Sequence, residues 1–156
     1  LRQAPPTPPF NFPDPIRPIY TNKRFLPGSV IDGATLNDVL LAEGCQIGKA
    51  KISNCVIGLR SQIAGGASLK NTIMMGADYY DDPGKPIPGG VPLGVGRDCA
   101  IDGAILDKNV RIGEGVVIKP FPRGVDRDEG SWVVQDGIVA IPKSTILHPG
   151  TYIGPE

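Results

Sequence analysis

From Ser29 to the end of the chain, aliphatic residues return at an interval of six positions. Leu41 and Ile47 keep it, then Ile57, Ile63 and Leu69, then Leu106, Ile112 and Ile118, and then Ile141, Leu147 and Ile153. A helix places apolar residues three and four apart, and no segment sustains that spacing. A short strand followed by a tight turn explains six. It makes one flat side with one aliphatic residue pointing inward, and three sides close a coil of about 18 residues. Stacked coils then bury columns of Ile, Leu and Val. Small residues follow the inward ones in Ile47-Gly48, Ile57-Gly58, Ile63-Ala64 and Ile112-Gly113, as crowded corners require. The pattern predicts an all-β fold, a parallel β-helix of the hexapeptide-repeat type. The period does not reveal its hand.

A longer repeat lies over the short one. Asn37-Asp38-Val39-Leu40-Leu41 returns as Asn54-Cys55-Val56-Ile57-Gly58 and as Asn71-Thr72-Ile73-Met74-Met75, with 17 residues between copies. Two stretches break the rhythm, 77–96 and 119–136, and both are expected as long loops leaving the coil. Residues 1–28 differ again. Pro5, Pro6, Pro8, Pro9, Pro13, Pro15 and Pro18 block helix and central strand alike, which predicts an extended interdomain arm followed by one β-helix domain over 29–156. The opening Leu1-Arg2-Gln3-Ala4 reads like part of a longer chain.

Composition narrows the function. Sixteen Lys and Arg balance sixteen Asp and Glu, so no overall field draws nucleic acid or an anionic membrane, and charge-driven binding needs a local cluster. No apolar run reaches the length of a membrane span. Cys45, Cys55 and Cys99 are odd in number and lack CxxC spacing, so they are read as buried hydrophobes rather than disulfides or zinc ligands. The one histidine, His148, beside Pro149-Gly150, is a solvated turn residue or the base of a hexapeptide acyltransferase. No nucleophile elbow, zincin or P-loop motif is present. Asp81, Asp82, Asp126, Asp128 and Glu129 cluster in the predicted loops, where solvation accounts for them.

A sharper signal comes from aligning two repeats. Ala104-Ile105-Leu106-Asp107-Lys108 matches Val139-Ala140-Ile141-Pro142-Lys143 at a constant offset of 35, with the aliphatic columns in phase. Lys108 and Lys143 therefore share one face of different coils. If 119–136 bulges out, those coils are neighbours about 5 Å apart; if not, they stand about 10 Å apart. Two accounts stay open, a pair of solvated lysines or a pair that shares an anion.

Several segments carry a family resemblance. Pro18-Ile19-Tyr20-Thr21, Asn54-Cys55-Val56-Ile57-Gly58-Leu59-Arg60-Ser61, Met75-Gly76-Ala77-Asp78-Tyr79-Tyr80, Pro92-Leu93-Gly94-Val95-Gly96 and Leu106-Asp107-Lys108-Asn109-Val110-Arg111-Ile112-Gly113 resemble the C-terminal region of ADP-glucose pyrophosphorylase of the plant and cyanobacterial type. That family is also called glucose-1-phosphate adenylyltransferase. The resemblance implies a left-handed β-helix that follows a nucleotidyltransferase domain, in an enzyme making ADP-glucose from ATP and glucose 1-phosphate for starch or glycogen. Mg²⁺ and the catalytic motifs belong to that other domain, so no cofactor and no catalytic residue is assigned here. What the resemblance assigns is regulation and oligomerisation, with phosphate-ester effectors, the catalytic domain and other subunits as partners, in cytoplasm or plastid stroma. By the same resemblance Lys108 and Lys143 match two activator-site lysines, and Arg24 an anion-contacting arginine. The chain departs from the plant type at Asn22, where that type has Gln, and at Phe121-Pro122-Arg123-Gly124, which replaces a more acidic stretch. An acyltransferase using His148 and a purely structural solenoid are the rival readings.

Overall fold

A computed structural model describes residues 14–156. Pro5, Pro6, Pro8, Pro9 and Pro13 of the expected arm lie outside the described residues, while 14–29 run without strand until Val30. From there to Ile153 the chain winds through short strands, with no α-helix among the described residues and a single 3-10 turn at Pro88–Gly90.

Three flat faces result. The first stacks Val30–Ile31, Gln46–Ile47, Gln62–Ile63, Gly94–Val95, Arg111–Ile112 and Ile146–Leu147 in parallel. The second stacks Ser68–Lys70, Ala100–Asp102, Val117–Ile118 and Tyr152–Ile153. The third stacks Ile73–Met74, Ala104–Leu106 and Ile138–Ile141. Thr35–Leu41 and Lys51–Ile57 are long enough to pass from the second face to the third without a break.

Each face sends one column inward. Ile47, Ile63, Val95, Ile112 and Leu147 fill the first, Ile52, Leu69, Ile101, Ile118 and Ile153 the second, and Ile57, Met74, Leu106 and Ile141 the third, every one of them at most 4% exposed. Burying a side chain of this size contributes roughly 1.5–3 kcal/mol. The six-residue interval of the sequence is therefore the inward column, as expected. Cys45, Cys55 and Cys99 are free and buried among them, and desolvation pushes their thiols upward, away from the reactive thiolate.

The corners explain where the interval shortens. From second face to third the step is five residues, as in Ile52 to Ile57, and the residue two past the inward one takes a left-handed φ: Asp38 (59°), Asn54 (51°), Asn71 (48°) and Gly103 (66°). From third face to first the step is six, and the left-handed residue stands three along, at Gly44, Arg60, Asn109 and Ser144. Asn and Asp tolerate that conformation best among residues with a side chain. The tight corner also carries a polar ladder, in which the Asn54 amide donates to Asn71 at 2.7 Å and Asn71 to Asp102 at 2.9 Å. This corrects one alignment of the sequence. Asn37 pairs with Ser53 and Val39 with Cys55, an offset of 16, so Asp38 and not Asn37 is the corner equivalent of Asn54.

Both expected insertions leave the coil, with different bounds and character. The first returns by Gly94–Val95, so 94–96 belong to the coil and not to the loop. The second is not a plain loop. Arg127–Asp128 and Val133–Gln135 pair antiparallel, and Val133–Gln135 pairs in turn with Ile138–Ile141. Asp136 (φ 46°) and Gly137 (φ 81°) form the two-residue link, and both need the positive φ of a type I′ hairpin turn.

Candidate functional site

Lys108 and Lys143 each stand two residues beyond an inward aliphatic residue, and the register pairs Leu106 with Ile141 directly. The Ser144 amide donates to the Lys108 carbonyl at 2.9 Å, which fixes the two lysines on adjacent coils. The closer of the two spacings is therefore the one formed, because 119–136 leaves the stack before the third face closes. Both ammonium groups converge. Lys108 Nζ lies 2.7 Å from Asp78 Oδ1, and Lys143 Nζ lies 2.9 Å from Asp78 Oδ2.

Asp78 comes from the first insertion, just past the third-face strand Ile73–Met74. Its backbone is held. Buried Ala77 donates to the Leu59 carbonyl and accepts from Arg60, and the Asp78 amide donates to Asn109 Oδ1 at 2.7 Å. Asn109 Nδ2 also donates to Asp78 Oδ2 at 3.0 Å. The hydrogen bond from Lys108, then those from Lys143 and Asn109, hold this carboxyl far below the usual carboxylate range. Asp78 in turn pushes the Lys143 ammonium upward. The side chains of Lys108, Asp78 and Lys143 are between 36% and 55% exposed, so an incoming solute can reach them.

A second ion pair anchors the same insertion. Arg111 points outward from the first face yet is 4% exposed, because residues 79–93 lie across it. It grips Asp81 with both terminal nitrogens, at 2.6 and 3.1 Å, and donates to the Val91 carbonyl at 2.9 Å. The Leu93 amide donates to Asp81 at 2.8 Å. The Arg111 hydrogen bond lowers the Asp81 carboxyl, and Asp81 raises Arg111. Sequence reasoning set Asp81 aside as solvated charge and passed over Asp78 and Arg111 as site residues. The available signal was an arginine in a strand row whose other members, Val30, Gln46, Gln62, Gly94 and Ile146, carry no charge.

Arg24 is exposed, and among the described residues no ion pair joins it to Asp78. Its neighbour Leu26 does reach the coil, beside Gly44, whose carbonyl takes the Tyr80 hydroxyl at 2.9 Å. His148 is exposed in the turn after Leu147, with its carbonyl occupied by Thr151. Among the described residues no three His, Cys, Asp or Glu side chains gather as a metal site, and no helix is long and apolar enough to cross a membrane.

Residues 24–152 match the family model described as the GLGC left-handed parallel beta-helix domain. The chain is also similar to the glucose-1-phosphate adenylyltransferase small subunit, chloroplastic/amyloplastic, of Triticum aestivum, with 40% identity over 154 residues. That match covers 95% of this chain and 33% of the wheat protein, so the chain spans about a third of its relative's length.

Proposed function

This chain belongs to the GLGC left-handed parallel β-helix domain family, and from that premise we propose that it is the regulatory and subunit-contact part of a glucose-1-phosphate adenylyltransferase. The whole enzyme would join ATP and glucose 1-phosphate into ADP-glucose and pyrophosphate, in a plastid or the cytoplasm. Its Mg²⁺ and reacting groups belong to the nucleotidyltransferase domain, so this chain by itself makes no ADP-glucose. Its own task is to bind a phosphate ester or phosphate through Lys108 and Lys143, with Arg24 as a further cation. One observation carries this reading: two ammonium groups from adjacent coils meet at a half-open spot that suits an anion. A phosphate there accepts charge-assisted hydrogen bonds from both.

Titration with a glycolytic phosphate ester, followed by amide shifts, tests the site. Binding is expected near millimolar, weakened by salt because the lysines are exposed. Lys108→Ala and Lys143→Ala should each weaken it, and the double variant should lose less than the sum, since both lysines hold one ligand. Shifts that cluster elsewhere, or survive the double substitution, would overturn the assignment.

The contact role rests on a different face. Outward from the third face, Leu40, Val56, Ile73, Ile105 and Ala140 stand in register across five coils as an apolar stripe. The second face is mixed in its outward row, with Thr35, Lys51 and Ser68 followed by Ala100, Val117 and Tyr152. An apolar row rimmed by exposed Met75 and Ile138 suits a subunit or domain surface. Sedimentation at tens of micromolar (a range that reveals weak association) should show dimer or larger species, reduced by Ile73→Lys.

A further inference from the structure

We propose that Asp78 is the specificity-determining residue of the lysine site: a resident carboxylate that monoanions cannot displace and dianions can. The inference rests on the reading of Lys108 and Lys143 as an anion site and adds to it which anions enter.

The geometry is that of an occupied site. Asp78 gives one oxygen to Lys108 and the other to Lys143, and Asn109 supplies a third donor. A ligand oxyanion aimed at the two lysines meets the same donors. Asp107, the other acid nearby, does not fill the spot, because its carboxylate is turned back onto the Lys108 amide at 2.6 Å.

The competition is intramolecular. The Asp78 backbone is pinned by Asn109 and by Ala77 just before it, and three residues on Asp81 is clamped by Arg111. The loop therefore stays in place while the Asp78 side chain alone turns out to water. A tethered group acts at a high effective concentration, so a free ligand of equal charge and equal hydrogen bonding loses to it. A dianion differs. It makes the same hydrogen bonds to the two ammonium groups while bringing twice the charge, and that charge a single carboxylate cannot match. The site thus rejects chloride, nitrate and simple carboxylates and admits phosphate, phosphate esters and sulfate.

Sulfate and nitrate separate the arms, since neither changes its charge between pH 6 and pH 8 and Asp78 stays ionised throughout that range. Amide shifts of Lys108, Asn109, Lys143 and Ser144 would be followed in the 156-residue chain, in Asp78→Asn and in Asp78→Ser. In the unaltered chain sulfate should shift them in the millimolar range and nitrate should not. In both variants sulfate should bind about tenfold tighter, the size of one removed charge contact in a half-exposed site, and nitrate should become visible. Unchanged amides of Ile57, Ile112 and Ile141 mark an intact coil in each variant. Equal sulfate affinity in all three proteins, or nitrate binding to the unaltered chain as strongly as sulfate, would overturn the role of Asp78 and leave the anion site standing. Sulfate that moves none of the four amides in any protein would remove the anion site itself, and this role with it.

Discussion

Residues 77–93 and 119–137 both interrupt the winding, and each is fastened back by different forces. The first insertion is held by ions: Asp78 on Lys108 and Lys143, Asp81 on Arg111, with Tyr80 reaching back to Gly44. Beyond those anchors, residues 82–90 stand exposed. The second insertion is held by apolar contact and backbone pairing. Phe121 is buried and stacks on Trp132 at 6.1 Å and 20°, Val134 joins the core, and the hairpin ladder extends the third face by two strands. Its one ion pair, Arg123 with Asp136 at 3.9 Å, is almost wholly exposed and adds little. The hairpin thus continues the solenoid's way of burying area, while the first insertion places charged groups that remain wet on a rigid wall. A solute site needs the exposed charges of the first insertion.

The largest expected effect breaks the ionic side of this contrast. Arg111→Ala leaves Asp81 and the Val91 carbonyl without their donor beneath the insertion. Removing one partner of a buried pair costs about 3–5 kcal/mol, and because Asp81 is a quarter exposed we expect about 3 kcal/mol in urea unfolding. Adding Asp81→Leu should recover part of that loss, since it removes the stranded charge. A cost below about 1 kcal/mol would mean that Val91 and Leu93, both buried, hold the insertion without the arginine.

Phe121→Ala tests the apolar side and should cost somewhat less, about 2–3 kcal/mol. The ring sits between Trp132 and the Arg127 guanidinium, 5.0 Å away, at the edge of the core rather than its centre. In a stacked fold such damage stays near its site. Hydrogen exchange should therefore quicken at Val133, Val134 and Gln135 while Leu69 and Ile101, coils away, keep their protection. Equal loss in both regions would show that the hairpin and the coils open as one unit.

Much of the solenoid was legible because its signal is local and repeated. Ile57, Ile63 and Leu69 announce themselves by spacing, and Lys108 and Lys143 fall in phase once Leu106 is set against Ile141. The one-residue error at Asn37 arose because the step from first face to second takes five residues from Ile47 to Ile52 and six from Ile63 to Leu69, so the first coil repeats after 16 residues and the next after 17. The hairpin had its own signal, Asp136-Gly137 between Val134 and Ile138, which the surrounding Pro and charge obscured. Asp78 had none. Its meeting with Lys108 and Lys143 spans 30 and 65 residues of chain and depends on the path of a loop, which no periodicity encodes.

The smallest expected effect is the acid response, and it sharpens the contrast without a mutation. Asp78 and Asp81 both have folded-state carboxyls lowered by their cationic partners. For a lowered carboxyl, the stabilisation is fully present above the unfolded value, about pH 4, and is lost as pH falls through the folded value. The unfolded or detached insertion takes up its protons first, so acid favours detachment. The hairpin rests mainly on Phe121, Trp132 and Val134, whose contacts involve no proton, and the backbone bonds that Asp126 and Asp136 accept in it are exposed. Between pH 7 and pH 3, the Leu93 amide, which donates to Asp81, should lose protection by several-fold once intrinsic exchange rates are divided out. The Val134 amide should change little over the same interval. High salt at pH 7 should imitate acid only at Asp78, whose partners are half exposed, and leave the buried Arg111 pair nearly untouched. If Val134 instead loosens first in acid, the division between an ionic and an apolar insertion does not describe how this solenoid is held.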